Sequence, residues 1–213
     1  MAILPQGILG ALSGRVGPVS GYQRYGKNIL RTAKTTVNIK NTPARASQRQ
    51  KISICNQFTS AFSGTGFFNK TFPAYGHSGS GYNRATSAIM NRAIDGTGEG
   101  KKISFPHVLI SHGPLPSAED VLAVKATDGR ISFTWTDNSN MGTAKANDKV
   151  ILVAFFPEIN QAFFSIGAAR RGDGKALLEI NEMQGYTAET WIGFLSNEEM
   201  DAADSVHAGK VIL

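Results

Sequence analysis

The chain has 213 residues, 41% of them hydrophobic and 18% charged, with a formal net charge of +6. That length suits one large domain or two small ones with modest cores. The one cysteine, Cys55, excludes an internal disulfide, and no run approaches the ~20 apolar residues of a membrane helix, so neither a disulfide-stapled fold nor membrane insertion is expected.

The charge is unevenly placed. Residues 1–102 hold 14 Lys and Arg and only two acids, Asp95 and Glu99, a net of +12; residues 103–213 hold 8 Lys and Arg and 14 acids, a net of −6. A basic half of this kind suits nucleic-acid phosphates, an acidic protein surface, or the acidic half of another copy. It also suits neutralisation of one half by the other inside a single chain.

In chain order, residues 1–40 are Gly-rich with β-type alternation. Segments 19–25 and 29–37 read as a hairpin across a turn at Gly26, Lys27 and Asn28. Residues 42–62 read as a helix, with Thr42 as N-cap, Pro43 in the first turn, and Ile52, Cys55, Phe58 and Phe62 forming an apolar stripe. Residues 63–80 read as a loop and 82–94 as a second helix; 95–102 is a loop and the expected domain boundary. Beyond it the pattern becomes short strands: 104–111, 121–126, 130–135, 149–156, 162–168, 175–180, 190–195 and 206–213. Strand 130–135 alternates apolar residues with hydroxyls, as one buried face requires, and 150–156 is almost continuously apolar, as a central strand would be.

The expected fold is therefore mostly β, of the α+β kind. Residues 1–102 form a basic arm, hairpin and two-helix region, and residues 103–213 form an immunoglobulin- or fibronectin-like β-sandwich around Trp135. The N-terminal apolar stretch is broken by Pro5, Gln6, Gly7 and Gly10 and has no basic segment before it. It reads as neither signal peptide nor anchor, which implies a soluble protein made in the cytoplasm, with assembly in a virion or outside the cell left open.

The search for chemistry is short. His107 and His112, on a strand, would face opposite ways; His77, Ser78 and Ser80 lie in a Gly-rich loop that lacks a nucleophile elbow; Cys55 reads as a core thiol. Asp137, Asp148, Asp173 and Glu179 could line sandwich loops, but without the spacing of a calcium loop, and Asp137 to Asn140 reads as an Asx turn. No catalytic residue, metal site or cofactor is assigned, and the chain is read as a non-enzyme. The partner- or phosphate-contact candidates are Arg15, Arg24, Lys27, Arg31, Lys34, Arg45 and Arg49, with Tyr22 and Tyr25 interleaved among the first of them.

Gly7 to Gly10, Ser13 to Gly17, Gly21-Tyr22, Gly26-Lys27 and Arg31 resemble a family of uncharacterised proteins of about this length from Bacteroidota-type bacteria. So do Thr42-Pro43 with Gln48-Arg49, and Phe133 to Ser139 followed by Ala144 and Asp148-Lys149. The resemblance spans nearly the whole chain and implies no activity. Residues 14–58 are also similar to structural-type hypothetical proteins of tailed phages, with Phe58 or Phe62 where those have a Trp. The leading expectation is a structural subunit, virion-like or filament-like, whose basic arm contacts itself or another protein. The alternatives are a nucleic-acid-binding accessory protein and an adhesion or glycan-binding module using Tyr186 and Trp191.

Overall fold

The computed structural model describes residue 3 and residues 10–24, 26–33, 41–74, 79–96, 100–127, 129–180 and 183–213. The chain divides into two compact units, Met1–Thr42 and Pro43–Leu213.

The first unit is an antiparallel meander of three strands, β1 (Gly14–Val16), β2 (Val19–Arg24) and β3 (Lys27–Thr32). Its first turn places Gly17 at φ +53°, a conformation that costs glycine little, and Pro18 follows with its φ already restricted. The second turn is tighter than the sequence suggests. Lys27 and Asn28 are not turn residues but lie in β3, paired with Arg24 and Gln23, which leaves a two-residue connection ending at Gly26. The far end of the expected second strand, 34–37, lies outside the described residues. Gly21 alone is buried among the described residues of this unit, because Leu12 folds over it so closely that a Cβ would strike the Leu12 backbone. The described residues of the unit therefore form little core of their own.

The second unit has three layers. The first sheet is ordered β10-β7-β6, from β6 (Glu119–Lys125), β7 (Arg130–Thr136) and β10 (Lys175–Glu179). The second is ordered β12-β11-β8-β9, from β8 (Lys149–Phe156), β9 (Gln161–Arg170), β11 (Thr187–Leu195) and β12 (Val206–Ile212). Both are antiparallel throughout, and they share a core of Ile131, Phe133 and Trp135 from one sheet with Leu152, Phe156, Ile192 and Phe194 from the other.

The third layer is helical: α1 (Pro43–Ser60), α2 (Phe67–Thr71) and α3 (Gly81–Arg92). Cys55, Phe58, Phe62, Phe67, Phe72 and Ile89 from this layer and its connections pack on Ile151, Val153, Phe155, Trp191 and Leu195, the opposite face of the second sheet. This explains the unbroken apolar run in β8. Alternate residues enter different cores, Val150, Leu152, Ala154 and Phe156 the first, Ile151, Val153 and Phe155 the second. Two short strands, β4 (Ile94–Asp95) and β5 (Lys102–Ile103), pair across the 95–102 loop.

The two compact units divide at 42/43, and 102/103 lies inside the second, where α1 to α3 share a core with the second sheet. Several expectations are corrected. The stretch 63–80 contains a third helix, α2, whose Phe67 and Phe68 are buried. Ile52, placed on the α1 stripe, is 42% exposed; Cys55, Phe58 and Thr59 are the buried positions of that helix. Segment 104–111 is not a strand: Pro106 sits in a short 3-10 turn, Phe105–His107, from which Val108 and Ile110 continue into the helical core. The other seven expected strands are present.

Candidate functional site

On a strand, side chains alternate between faces, and directly paired residues share one. In the N-terminal sheet Arg15 is opposite Ser20, Ser20 opposite Arg31, Tyr22 opposite Ile29 and Arg24 opposite Lys27. Arg15, Arg31, Arg24 and Lys27 therefore lie on one face, two at each end of a central Tyr22–Ile29 pair. All four cations are exposed. The Arg31 guanidinium lies 5.2 Å from the centre of the Tyr22 ring, and Arg15 Nε donates to the Gly17 carbonyl over 3.0 Å. The opposite face carries Val16, Val19 and Leu30, with Leu12 over Gly21; Val16 is 56% exposed and Leu30 65%. The sheet is amphipathic, one side basic and the other apolar.

Of the seven contact candidates, the structure thus brings four together. Lys34 lies outside the described residues. Arg45 and Arg49 belong to the second unit, exposed on the N-terminal half of α1.

The charge distribution sharpens when the chain is divided where the units divide. Residues 1–42 hold six of the 22 Lys and Arg and none of the 16 acids. The remaining 16 cations balance the 16 acids of residues 43–213, so the whole formal +6 belongs to the arm. Within the second unit the basic excess of 43–102 meets the acids that follow it. Lys70 lies 3.3 Å from Glu199, which also holds Lys149 at 2.6 Å, and Arg92 lies 3.9 Å from Asp204. Hydrogen bonds from Lys149, ahead of those from Lys70, hold the Glu199 carboxyl below the usual range.

The second unit contains a buried polar centre that residue patterning does not foreshadow. Arg171 is wholly buried. Its Nε donates to Asp148 Oδ2 at 3.0 Å and its Nη1 donates to Asn138 Oδ1 at 2.7 Å and to the Pro116 carbonyl at 3.1 Å. Its guanidinium lies 3.7 Å from the centre of the Phe194 ring, and its carbonyl accepts from Trp135 Nε1 at 2.7 Å. Burial lowers its pKa, against the pull of Asp148. Trp135, Asn138 and Asp148, all in the motif that carried the family resemblance, thus converge on one arginine, the first on its carbonyl and the other two on its guanidinium, tying three connections at one end of the two sheets. A cavity of about 320 Å³ opens beside it, lined by Lys145, Asp148, Glu198 and Asp201 among others.

The remaining candidates resolve individually. Ser80 accepts the Asn83 N–H at 3.3 Å and caps α3; His77 and Ser78 lie outside the described residues. Asp137 accepts the Ser139 N–H at 2.9 Å, the expected Asx turn, and Asp173 accepts the Arg170 N–H. Trp191 is wholly buried among Phe58, Phe105 and His207, so it is not a sugar-stacking residue. Cys55 is buried, and burial raises its thiol pKa against the opposing charge of Lys51. Among the described residues no three His, Cys, Asp or Glu side chains gather as a metal site requires, and no helix is long and apolar enough to cross a membrane.

No curated protein matches the chain. A family model described as a family of unknown function, DUF6266, matches residues 11–209, from the first strand of the arm to the last strand of the second unit, and the chain belongs to that family.

Proposed function

We propose that the chain is a non-catalytic structural subunit, of a virion-type or filament-type assembly, that docks onto a neighbouring protein subunit through residues 1–42. The observation that carries this reading is the arm itself. It is a two-faced sheet with four cations on one side and exposed aliphatic side chains on the other, and Gly21 is the only described residue it buries. Units of this size rarely stand alone without a staple or a partner surface. The body supports a scaffold role. Of its seven sandwich strands, β6 to β12, the first, second and fifth form one sheet and the third, fourth, sixth and seventh the other, an order that fits an immunoglobulin- or fibronectin-like sandwich. The helical layer on its second sheet is an addition to that plan.

A second reading, nucleic-acid binding, is favoured by one observation: Tyr22 sits between two pairs of cations on one face, the combination used to stack bases and hold phosphates. Sedimentation velocity of the full chain at low and high salt, with and without single-stranded DNA, separates the two. The structural reading expects self-association without DNA, weakened by salt. A full chain that stays monomeric alone and sediments faster only with DNA would replace it with the second reading.

A further inference from the structure

Helix α3 buries Gly81, Ala85 and Ile89. A second row beside them, Arg84, Ser87, Ala88, Asn91 and Arg92, recurs at three- and four-residue spacing and lines a cavity of about 400 Å³. Phe72, Pro73 and His112 line it as well. All of these residues belong to the second unit. The volume is that of a small-molecule site and exceeds what a bare inorganic ion needs.

The wall is cationic. Arg84 is half-buried; its Nε and Nη2 donate to the Phe72 carbonyl and its Nη1 donates to the Gly79 carbonyl at 2.9 Å. These bonds hold the guanidinium at the cavity and take three of its five N–H groups. Among the described residues no carboxylate pairs with it. Arg92 faces one acid, Asp204, over 3.9 Å, longer than a hydrogen bond, and its side chain is 55% exposed. Asp204 is already hydrogen-bonded to His112 Nδ1 and accepts the Gly113 N–H at 3.1 Å. No acid occurs before Asp95, so residues 72–92 bring two cations to this wall and nothing to balance them. With His112 neutral, two guanidiniums and one carboxylate sum to +1.

We propose that this cavity binds a small organic monoanion, a carboxylate with an apolar body. A single negative charge cancels the local excess, whereas a dianionic phosphate would overshoot it. The planar guanidiniums of Arg84 and Arg92 match a carboxylate, and Ser87 and Asn91 supply a hydroxyl and an amide between them on the same row. Phe72, Pro73 and Ala88 give the apolar body its surface. The proposal does not depend on the docking of residues 1–42.

Calorimetric titration of the full chain with benzoate, benzamide and inorganic phosphate tests it. Benzoate should bind in the millimolar range or tighter. Benzamide, of the same shape without the charge, should bind at least about tenfold more weakly, and phosphate should also bind more weakly than benzoate. Arg92→Gln, at an exposed position, should weaken benzoate about tenfold with the melting temperature unchanged. Ser87→Phe, exposed on the same row, should fill the cavity and abolish binding. Benzoate that fails to bind, or binds no better than benzamide, overturns the proposal. So does binding that survives both substitutions, which places it elsewhere on the chain. Phosphate that binds more tightly than benzoate overturns the assignment to a carboxylate.

Discussion

Arg171 and Asp148 form an ion pair with both side chains withdrawn from water, 0% and 1% exposed, at a nitrogen–oxygen distance of 3.0 Å. Asp148 also accepts the Lys145 N–H over 3.0 Å, so one carboxylate sets the loop before β8 and neutralises the guanidinium behind it. Such a pair contributes little over a well-packed apolar substitute, but losing one partner strands a buried charge.

Asp148→Ala should therefore destabilise the chain by about 3–5 kcal/mol, measured as a shift in urea midpoint at unchanged slope. Replacing both partners at once, Asp148→Leu with Arg171→Met, should cost less than Asp148→Ala alone. A double variant as unstable as the sum of its parts would show that the two side chains act independently.

The helical layer gives a second prediction. A fragment of residues 103–213 would expose Ile151, Val153, Phe155, Trp191 and Leu195, all buried under α1 to α3 in the whole unit. That fragment should aggregate or unfold, while residues 43–213 fold cooperatively. Circular dichroism melts and elution volumes of the two fragments decide it; a monodisperse, cooperatively melting 103–213 would place the domain boundary where the loop composition suggests.

These two cases mark what the sequence carries. Period-two patterning located seven strands of the second unit, and the continuous run at 150–156 implied a strand covered on both sides. It could not say by what, because the helical stripe of Cys55, Phe58 and Phe62 names no partner. Arg171 was invisible for a different reason. An arginine next to another arginine and before Gly172-Asp173-Gly174 has the composition of a solvated turn, and only folding brings Asn138, Asp148 and Phe194 around it. The basic face of the arm was legible residue by residue, but its sharing of one face depends on register. That register was set by a turn one step tighter than expected.

Glu189 supplies a pH dependence. It is 2% exposed, accepts from His207 Nε2 at 2.8 Å and lies 3.1 Å from Lys210 Nζ. Burial alone would raise its pKa, but the hydrogen bonds from His207 and Lys210 together outweigh burial and hold it below the ordinary value. Its folded pKa being depressed, the stability it contributes is present above the unfolded value of about 4.3 and is lost as pH falls through the folded value. Stability of the wild type should thus drop in acid below that range, and Glu189→Gln should flatten this part of the profile. An unchanged acid limb in Glu189→Gln would show that Glu189 contributes nothing to it.

The basic face of the arm yields a prediction of its own. Replacing Arg15, Arg24, Lys27 and Arg31 by Gln removes four exposed charges, so the melting temperature should stay within a degree or two of wild type. The salt dependence of any self-association, or of any DNA binding, should become shallower. A steep salt dependence that survives all four substitutions would move its origin to the second unit.

The central claim is that residues 1–42 join one subunit to the next. Light scattering on the full chain and on residues 43–213, at matched concentration and low salt, tests it most directly. The account predicts a full chain heavier than a monomer and a 43–213 fragment that is folded and monomeric. A full chain that stays monomeric, or a fragment that assembles as well as the full chain, would contradict it.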